Sequence, residues 1–187
     1  MLSLSKRRCD TLPEEIDGCE IDAGFRTILM ILRLLNEQED GIMAALEDAL
    51  HFFYVDEQPE DALDKMFDFI RGGEEPEDGD EPPRMDWEFD AAEIYADFLA
   101  IYGIDLLEST MHWYTFLAML GGIMAREGAL SSKVHTRFMD LKGLKGKELL
   151  DAQRAKDKVQ IPEKLTLEEL EAEAQTAQAY EDEWGSI

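Results

Sequence analysis

The feature that most constrains this chain is the run Asp105–Arg126, which with the preceding Ile104 reads IDLLESTMHWYTFLAMLGGIMAR. It is the most apolar stretch of a protein whose formal net charge is −25. Its length suits a membrane span, yet Glu108 and His112 lie inside it. A carboxylate near the centre of a bilayer costs about 2.5–3.5 kcal/mol on insertion scales. Trp113, Tyr114 and Phe116 also sit mid-run, not at the ends where an interfacial belt would place them. The run therefore reads as a buried helix of a soluble protein. Leu106, Leu107, Met111, Tyr114, Leu117 and Leu120 lie on one side, and Trp113, Phe116 and Ala118 widen the apolar face. Trp113 and Phe116 are expected in the core, and Gly121-Gly122 is expected to weaken the last turn.

The segments around this run carry helical stripes. Phe25, Ile28, Leu29, Leu32 and Leu35 recur at helical spacing behind Asp22, a candidate N-cap. Ile42, Leu46, Ala49, Leu50 and Phe53 follow Asp40, a second candidate cap. Leu63, Met66, Phe67 and Ile70 follow Pro59, placed as an N1 proline, and Gly72-Gly73 reads as the stop. Ile94, Tyr95, Phe98, Leu99 and Tyr102 form a fourth stripe between Asp90, a candidate cap, and Gly103. Ser132 is the candidate cap of a helix bearing Val134, Phe138 and Leu141, and Thr166 with Glu169 matches a capping box. Upstream, Asp17-Gly18 between Ile16 and Ile21 is the two-residue signature of a β-hairpin, because a type I′ turn needs positive φ at both central residues.

These patterns predict an all-α fold: a compact multi-helix bundle with a small N-terminal β-hairpin and a weakly docked C-terminal helical tail. The expected organisation is an N-terminal segment over 1–21, a first helical group over 22–72, an acidic disordered loop over 73–86, a second helical group over 87–142, and a charged helical or flexible tail over 143–187. The loop contains EEPEDGDEPP, which has no apolar side chain to bury and lacks the spacing of a calcium-binding loop.

Charge narrows the partners. A surface this acidic repels nucleic acid and anionic lipid, so neither is expected as a partner. The exception lies between Arg126 and Lys158, where nine of the eighteen basic residues stand against five acidic ones. The simplest reading is that this segment neutralises acidic regions of its own chain or of a neighbouring subunit. Such segregation of sign also permits head-to-tail self-association. The two cysteines, Cys9 and Cys19, form no CxxC pair, and the N-terminus shows no secretory h-region, so free thiols are expected.

Catalysis needs convergent groups. His51, His112 and His135 sit singly in separate segments, without HExxH spacing, a phosphate-binding glycine loop or GxSxG. His112, beside Trp113 on an apolar face, reads as a satisfied core histidine, not a ligand. No catalytic, cofactor-binding or metal-binding residue is predicted, no cofactor is expected, and no partner-binding residue is assignable from the pattern.

Two stretches together resemble a known family. One is LPEEIDGCEIDAGFRTILMIL, over Leu12–Leu32; the other is WEFDAAEIYADFLAIYGIDLLESTMHWYTFLAMLGGI, over Trp87–Ile123. The Phe-Asp-x-x-x-Ile-Tyr-x-x-Phe, Tyr-Gly-Ile-Asp-Leu and His-Trp-x-x-Phe elements resemble the siphophage family named bacteriophage gene product fifteen. The resemblance covers roughly residues 12–141. It implies a protein encoded among phage tail genes, between those of the tail tube and the tape measure protein. By analogy of gene order it implies a non-enzymatic tail assembly chaperone of the host cell cytoplasm, with the tape measure protein and tail tube protein as partners. The competing readings are a tail or tail-completion protein kept in the virion, and an acidic inhibitor of a host protein.

Overall fold

The computed structural model describes residues 6, 11–38, 41–72, 83–162 and 164–184. Cys9, Asp40 and residues 73–82 of the acidic 73–86 segment, Gly73 among them, lie outside the described residues. The fold is mainly α. Among the described residues it comprises a hairpin, β1 (Glu15–Ile16) and β2 (Cys19–Glu20), followed by eight helices. These are α1 (Phe25–Glu37), α2 (Ile42–Phe53), α3 (Ala62–Ile70), α4 (Ala91–Tyr102), α5 (Trp113–Met124), α6 (Ala129–Arg137), α7 (Gly146–Asp157) and α8 (Leu167–Trp184). The chain divides into two units: unit 1 is Met1–Gly79, Thr110–Phe116 and Lys164–Ile187, and unit 2 is Asp80–Ser109 and Leu117–Glu163. No helix of the described residues is long and apolar enough to cross a membrane.

In unit 1 the hairpin forms where expected. Glu15 pairs with Glu20 and Ile16 with Cys19, and the turn residues Asp17 and Gly18 have φ of 51° and 82°, the positive values a type I′ turn requires. Asp22 does not sit at the N-cap of α1; that position is Gly24. Asp22 acts from two residues further out, its carboxylate accepting the Gly24 N–H (2.9 Å) and the Thr27 hydroxyl (2.7 Å). The buried face of α1 is Phe25, Ile28, Ile31, Leu32 and Leu35, with Ile31 in the place expected of Leu29. Helix α2 packs on α1 through Ala45, Leu46, Ala49 and Phe53. Pro59 is not the first residue of α3, which begins after Asp61; the stripe Leu63, Met66, Phe67 and Ile70 is buried as expected. Helix α8 seats on α2 through Leu170 and Ala174, both fully buried. Its start is the expected capping box: Thr166 N–H donates to Glu169 Oε2 (2.8 Å), and Glu169 N–H to Thr166 Oγ1 (3.2 Å).

The apolar run departs most from expectation. Helix α5 begins only at Trp113, and residues 103–112 are not helical. The reason lies in where the backbone bonds go. Phe25 N–H donates to Met111 O (3.0 Å), Trp113 N–H donates to Ala23 O (2.7 Å), and Gly24 and His112 form an antiparallel bridge. This extended pairing draws the chain out of the helix that its apolar content favours. Glu108 is therefore exposed on a turn, and Leu107 is 69% exposed. The buried face of α5 is Trp113, Phe116, Leu120 and Ile123, so Trp113 and Phe116 are core residues as expected.

In unit 2, Gly103 ends α4 in the left-handed conformation (φ 66°). The buried residues of α4 are Ile94, Asp97 and Phe98, while Leu99 is 46% exposed. A carboxylate thus holds a place on the inner face that the apolar pattern assigned elsewhere. Helix α6 starts at Ala129, behind Gly128, so Ser132 lies within it and does not cap it. Helix α7 contacts α6 but buries none of its side chains.

Candidate functional site

The chemically densest place in the described residues is a buried ion cluster in unit 2. Asp90 precedes α4, but its carboxylate makes no capping bond to that helix. Asp90 Oδ1 instead accepts from Arg137 Nη2 (2.8 Å) and Lys133 Nζ (2.9 Å). Asp90 Oδ2 accepts from Arg137 Nη1 (3.1 Å) and the Asp86 N–H (2.9 Å). Asp90 is fully buried and Arg137 nearly so. Lys133 also reaches Glu93 (2.9 Å) and the Phe89 carbonyl (2.8 Å), and its ammonium lies 4.3 Å from the centre of the Phe89 ring. Arg137 donates through Nε to Val159 O (2.6 Å) and through Nη1 to Arg84 O. One guanidinium thereby ties α6 to the chain entering α4 and to the chain leaving α7.

The electrostatics follow from this geometry. Burial acts to raise the Asp90 carboxyl, but the hydrogen bonds from Arg137, Asp86 and Lys133 outweigh it and hold the group below the usual carboxylate range. Burial acts to lower Lys133, and its bonds to Glu93 and Asp90 outweigh it upward. The cluster is charge-balanced and fully hydrogen-bonded, so it presents neither a free base nor an open ligand position. Lys133 and Arg137, four residues apart on one helix face, neutralise acidic groups of their own chain, the simplest reading of the basic segment.

A second carboxylate does comparable work nearby. Asp97 Oδ1 accepts the Ala129 N–H and Oδ2 the Leu130 N–H, each at 2.9 Å. These are the first two amides of α6, so α4 caps α6 across 32 residues of sequence. Gly128 has ordinary extended backbone; it is glycine because a Cβ there would stand 2.6 Å from Asp97 Oδ2.

The histidines do not converge. His112 Nδ1 accepts the Tyr114 N–H (3.0 Å), which leaves Nε2 to donate to Pro13 O (3.0 Å). The ring is the satisfied histidine expected, in the neutral Nε2–H form set by its neighbours. It packs edge-on against Phe69 and Tyr114. Trp113 donates its indole N–H to Ile70 O (2.8 Å) and stacks on Phe116, which stacks on Phe25. His51 and His135 are exposed. Cys19 is a half-buried free thiol in β2. Among the described residues no group of three or more His, Cys, Asp or Glu is placed to hold a metal ion.

What the surface offers instead is apolar. In unit 1, Phe52 is 43% and Val55 53% exposed; in unit 2, Leu99, Leu107, Phe138 and Leu150 are 46%, 69%, 45% and 57% exposed. No motif distinguishes these residues in sequence. Leu99 and Leu107 even fell within stripes read as buried, because periodicity marks a face without saying which neighbour covers it.

Residues 9–161 match the family model described as Bacteriophage Gp15 protein, and the chain belongs to that family. It is a bacteriophage protein. No curated protein and no solved structure matches it.

Proposed function

We propose that the protein is a non-enzymatic tail assembly chaperone, which binds the tape measure protein of its phage in the host cell cytoplasm and helps recruit tail tube subunits. Membership of the Bacteriophage Gp15 protein family supplies the phage context. The observation that carries the binding role is the exposure of Leu107 and Phe138 on a protein of net charge −25. Exposed apolar side chains on helical scaffolds hold amphipathic helical segments. The acidic surface keeps such a complex soluble and discourages nucleic acid.

Co-expression with the tape measure protein of the same phage tests this reading. The expected result is a soluble complex that survives purification and is lost in a Leu107→Ser, Phe138→Ser double variant. A tape measure protein that stays insoluble and uncomplexed refutes it. Stoichiometric peptides of the protein in purified virions favour a structural tail protein instead.

A further inference from the structure

Helix α8 sits in unit 1 as a guest helix would. Leu167, Leu170, Ala174 and Ala177 recur at i, i+3, i+7 and i+10 and form its inner stripe. Among its described residues only Leu170 and Ala174 are buried, while Leu167 and Ala177 are half-buried. Helix α2 receives this stripe. Three polar contacts fix the register. Arg71, at the end of α3, pairs with Glu171, and both side chains are largely shielded. Gln38, at the end of α1, donates to Glu173 Oε2 (3.0 Å), and Gln175 donates to Asp64 Oδ1 of α3 (3.3 Å). The last two contacts are open to water. A helix of 18 residues is thus held by two buried side chains and one shielded ion pair. The family match over residues 9–161 takes in α1, α2 and α3 and ends before α8. The seat therefore lies in the part of the chain that carries the family pattern, and its occupant lies outside that part.

We propose that the seat of α8 is a helix-binding groove, and that α8 is its resident occupant, displaced by an amphipathic helix of a partner protein. The contacts of the groove define that helix. It carries leucine and alanine four residues apart, a carboxylate directly after the leucine to meet Arg71, and a lysine or arginine directly after the alanine. At that last position α8 places Gln175, a neutral donor on the Asp64 carboxylate. A cation there pairs with Asp64 and favours the partner over α8. The net charge of −25 also draws partners of basic character. While α8 is seated, the affinity for an incoming helix is reduced by the fraction of molecules whose groove is open. Helix α8 therefore sets a threshold for binding. The proposal stands apart from the tape measure reading, which rests on Leu107 and Phe138 of unit 2, and its test needs only this chain and peptides.

Fluorescence anisotropy on the full-length protein tests it, with a labelled peptide of residues 165–180 and the same peptide bearing Gln175→Lys. In a Leu170→Glu/Ala174→Glu variant α8 is expected to leave its seat. The native peptide is then expected to bind saturably and at least ~10-fold more tightly than to the wild type. The Gln175→Lys peptide is expected to bind about 2–5-fold more tightly than the native one, the range of an exposed ion pair. Adding Arg71→Ala to the variant is expected to weaken both. Hydrogen exchange reads the displacement in the wild type without any substitution: α8 amides are expected to exchange at least ~10-fold faster than the most protected amides of α1 and α2. Peptide bound equally by wild type and variant overturns the proposal, as does peptide bound by neither with the helical circular dichroism of the variant retained. Protection of α8 equal to that of α1 overturns it too. Sedimentation of the wild type at twice 21.3 kDa, falling to one chain in the variant, would give the groove to α8 of a second copy and also overturns it.

Discussion

Removing the Arg137 guanidinium should loosen unit 2 from its centre. In an Arg137→Met variant, Asp90 remains fully buried and keeps only Lys133 and the Asp86 N–H as partners. The carbonyls of Arg84 and Val159 each lose a donor. Breaking a buried ion pair from one side costs about 3–5 kcal/mol, because the remaining charge stays desolvated. Lys133 offsets part of this, and the two carbonyls together add about 1–2 kcal/mol. A net loss of about 3–5 kcal/mol is a large share of the ~5–15 kcal/mol that holds a domain together. Since the chain divides into two units, hydrogen exchange, which reads each helix separately, is the assay of choice. Amides of α4 and α6 should lose protection by ~100-fold or more, at about 1.4 kcal/mol per decade. The double variant Asp90→Leu/Arg137→Met should recover much of the loss, since paired removal leaves no orphaned charge. The acid limb adds a second readout. The Asp90 carboxyl is held low in the folded state, so its stabilisation is full above the unfolded value of about 3.9 and is lost as pH falls through the folded value. The double variant should lack that acid-sensitive increment. Protection in α4 and α6 unchanged by Arg137→Met would refute the assignment of this cluster as the centre of unit 2.

Two further outcomes follow from local geometry. Gly128→Ala should push the Asp97 carboxylate off the first amides of α6 and cost about 1–3 kcal/mol in urea unfolding; Asp97→Ala should cost about 1–2 kcal/mol, and the two losses should not add, because both break the same cap. In a spectrophotometric titration Tyr54, raised by burial with help from Cys19 and Asp17, and Tyr114, raised by burial and Asp68, should each ionise at about 12. Both folded values lie above the unfolded 10, so their stabilisation is full below pH 10 and is lost as pH rises through about 12. Ionisation of all five tyrosines together near 10 would contradict that burial.

The parts of this fold legible in sequence are those whose causes are local. Asp17-Gly18 announces its turn because two adjacent positive φ values suit few residue pairs, and Thr166 with Glu169 announces a helix start because both donors and acceptors lie within one turn. The stripes of α1, α2 and α3 are readable because one side of each is covered along its whole length. Legibility fails where the partner is remote. Nothing near Asp97 or Asp90 tells them apart from the many other carboxylates of an acidic chain; one caps a helix 32 residues away and the other receives Arg137 from 47 residues away. Residues 104–111 mislead for the same reason. Their apolar content suits a helix, yet the backbone at the end of the stretch, Met111 to Trp113, is claimed by Ala23, Gly24 and Phe25, while Glu108 and Ser109 donate locally to Asp105 O. The exposed apolar residues carry no local mark, and only their surroundings reveal them as surface.

The seat of α8 on α2 has a consequence for how the protein is made. Leu170 and Ala174 complete a core whose other members, such as Leu46 and Phe53, emerge from the ribosome more than a hundred residues earlier. Domains usually form in the order of synthesis, N-terminal first. Here the unit begun first is closed last: α4, α6 and the Asp90–Arg137 cluster are fully synthesised before the segment that finishes unit 1 exists. Until then the α2 surface that receives α8 lacks the cover that Leu170 and Ala174 later supply.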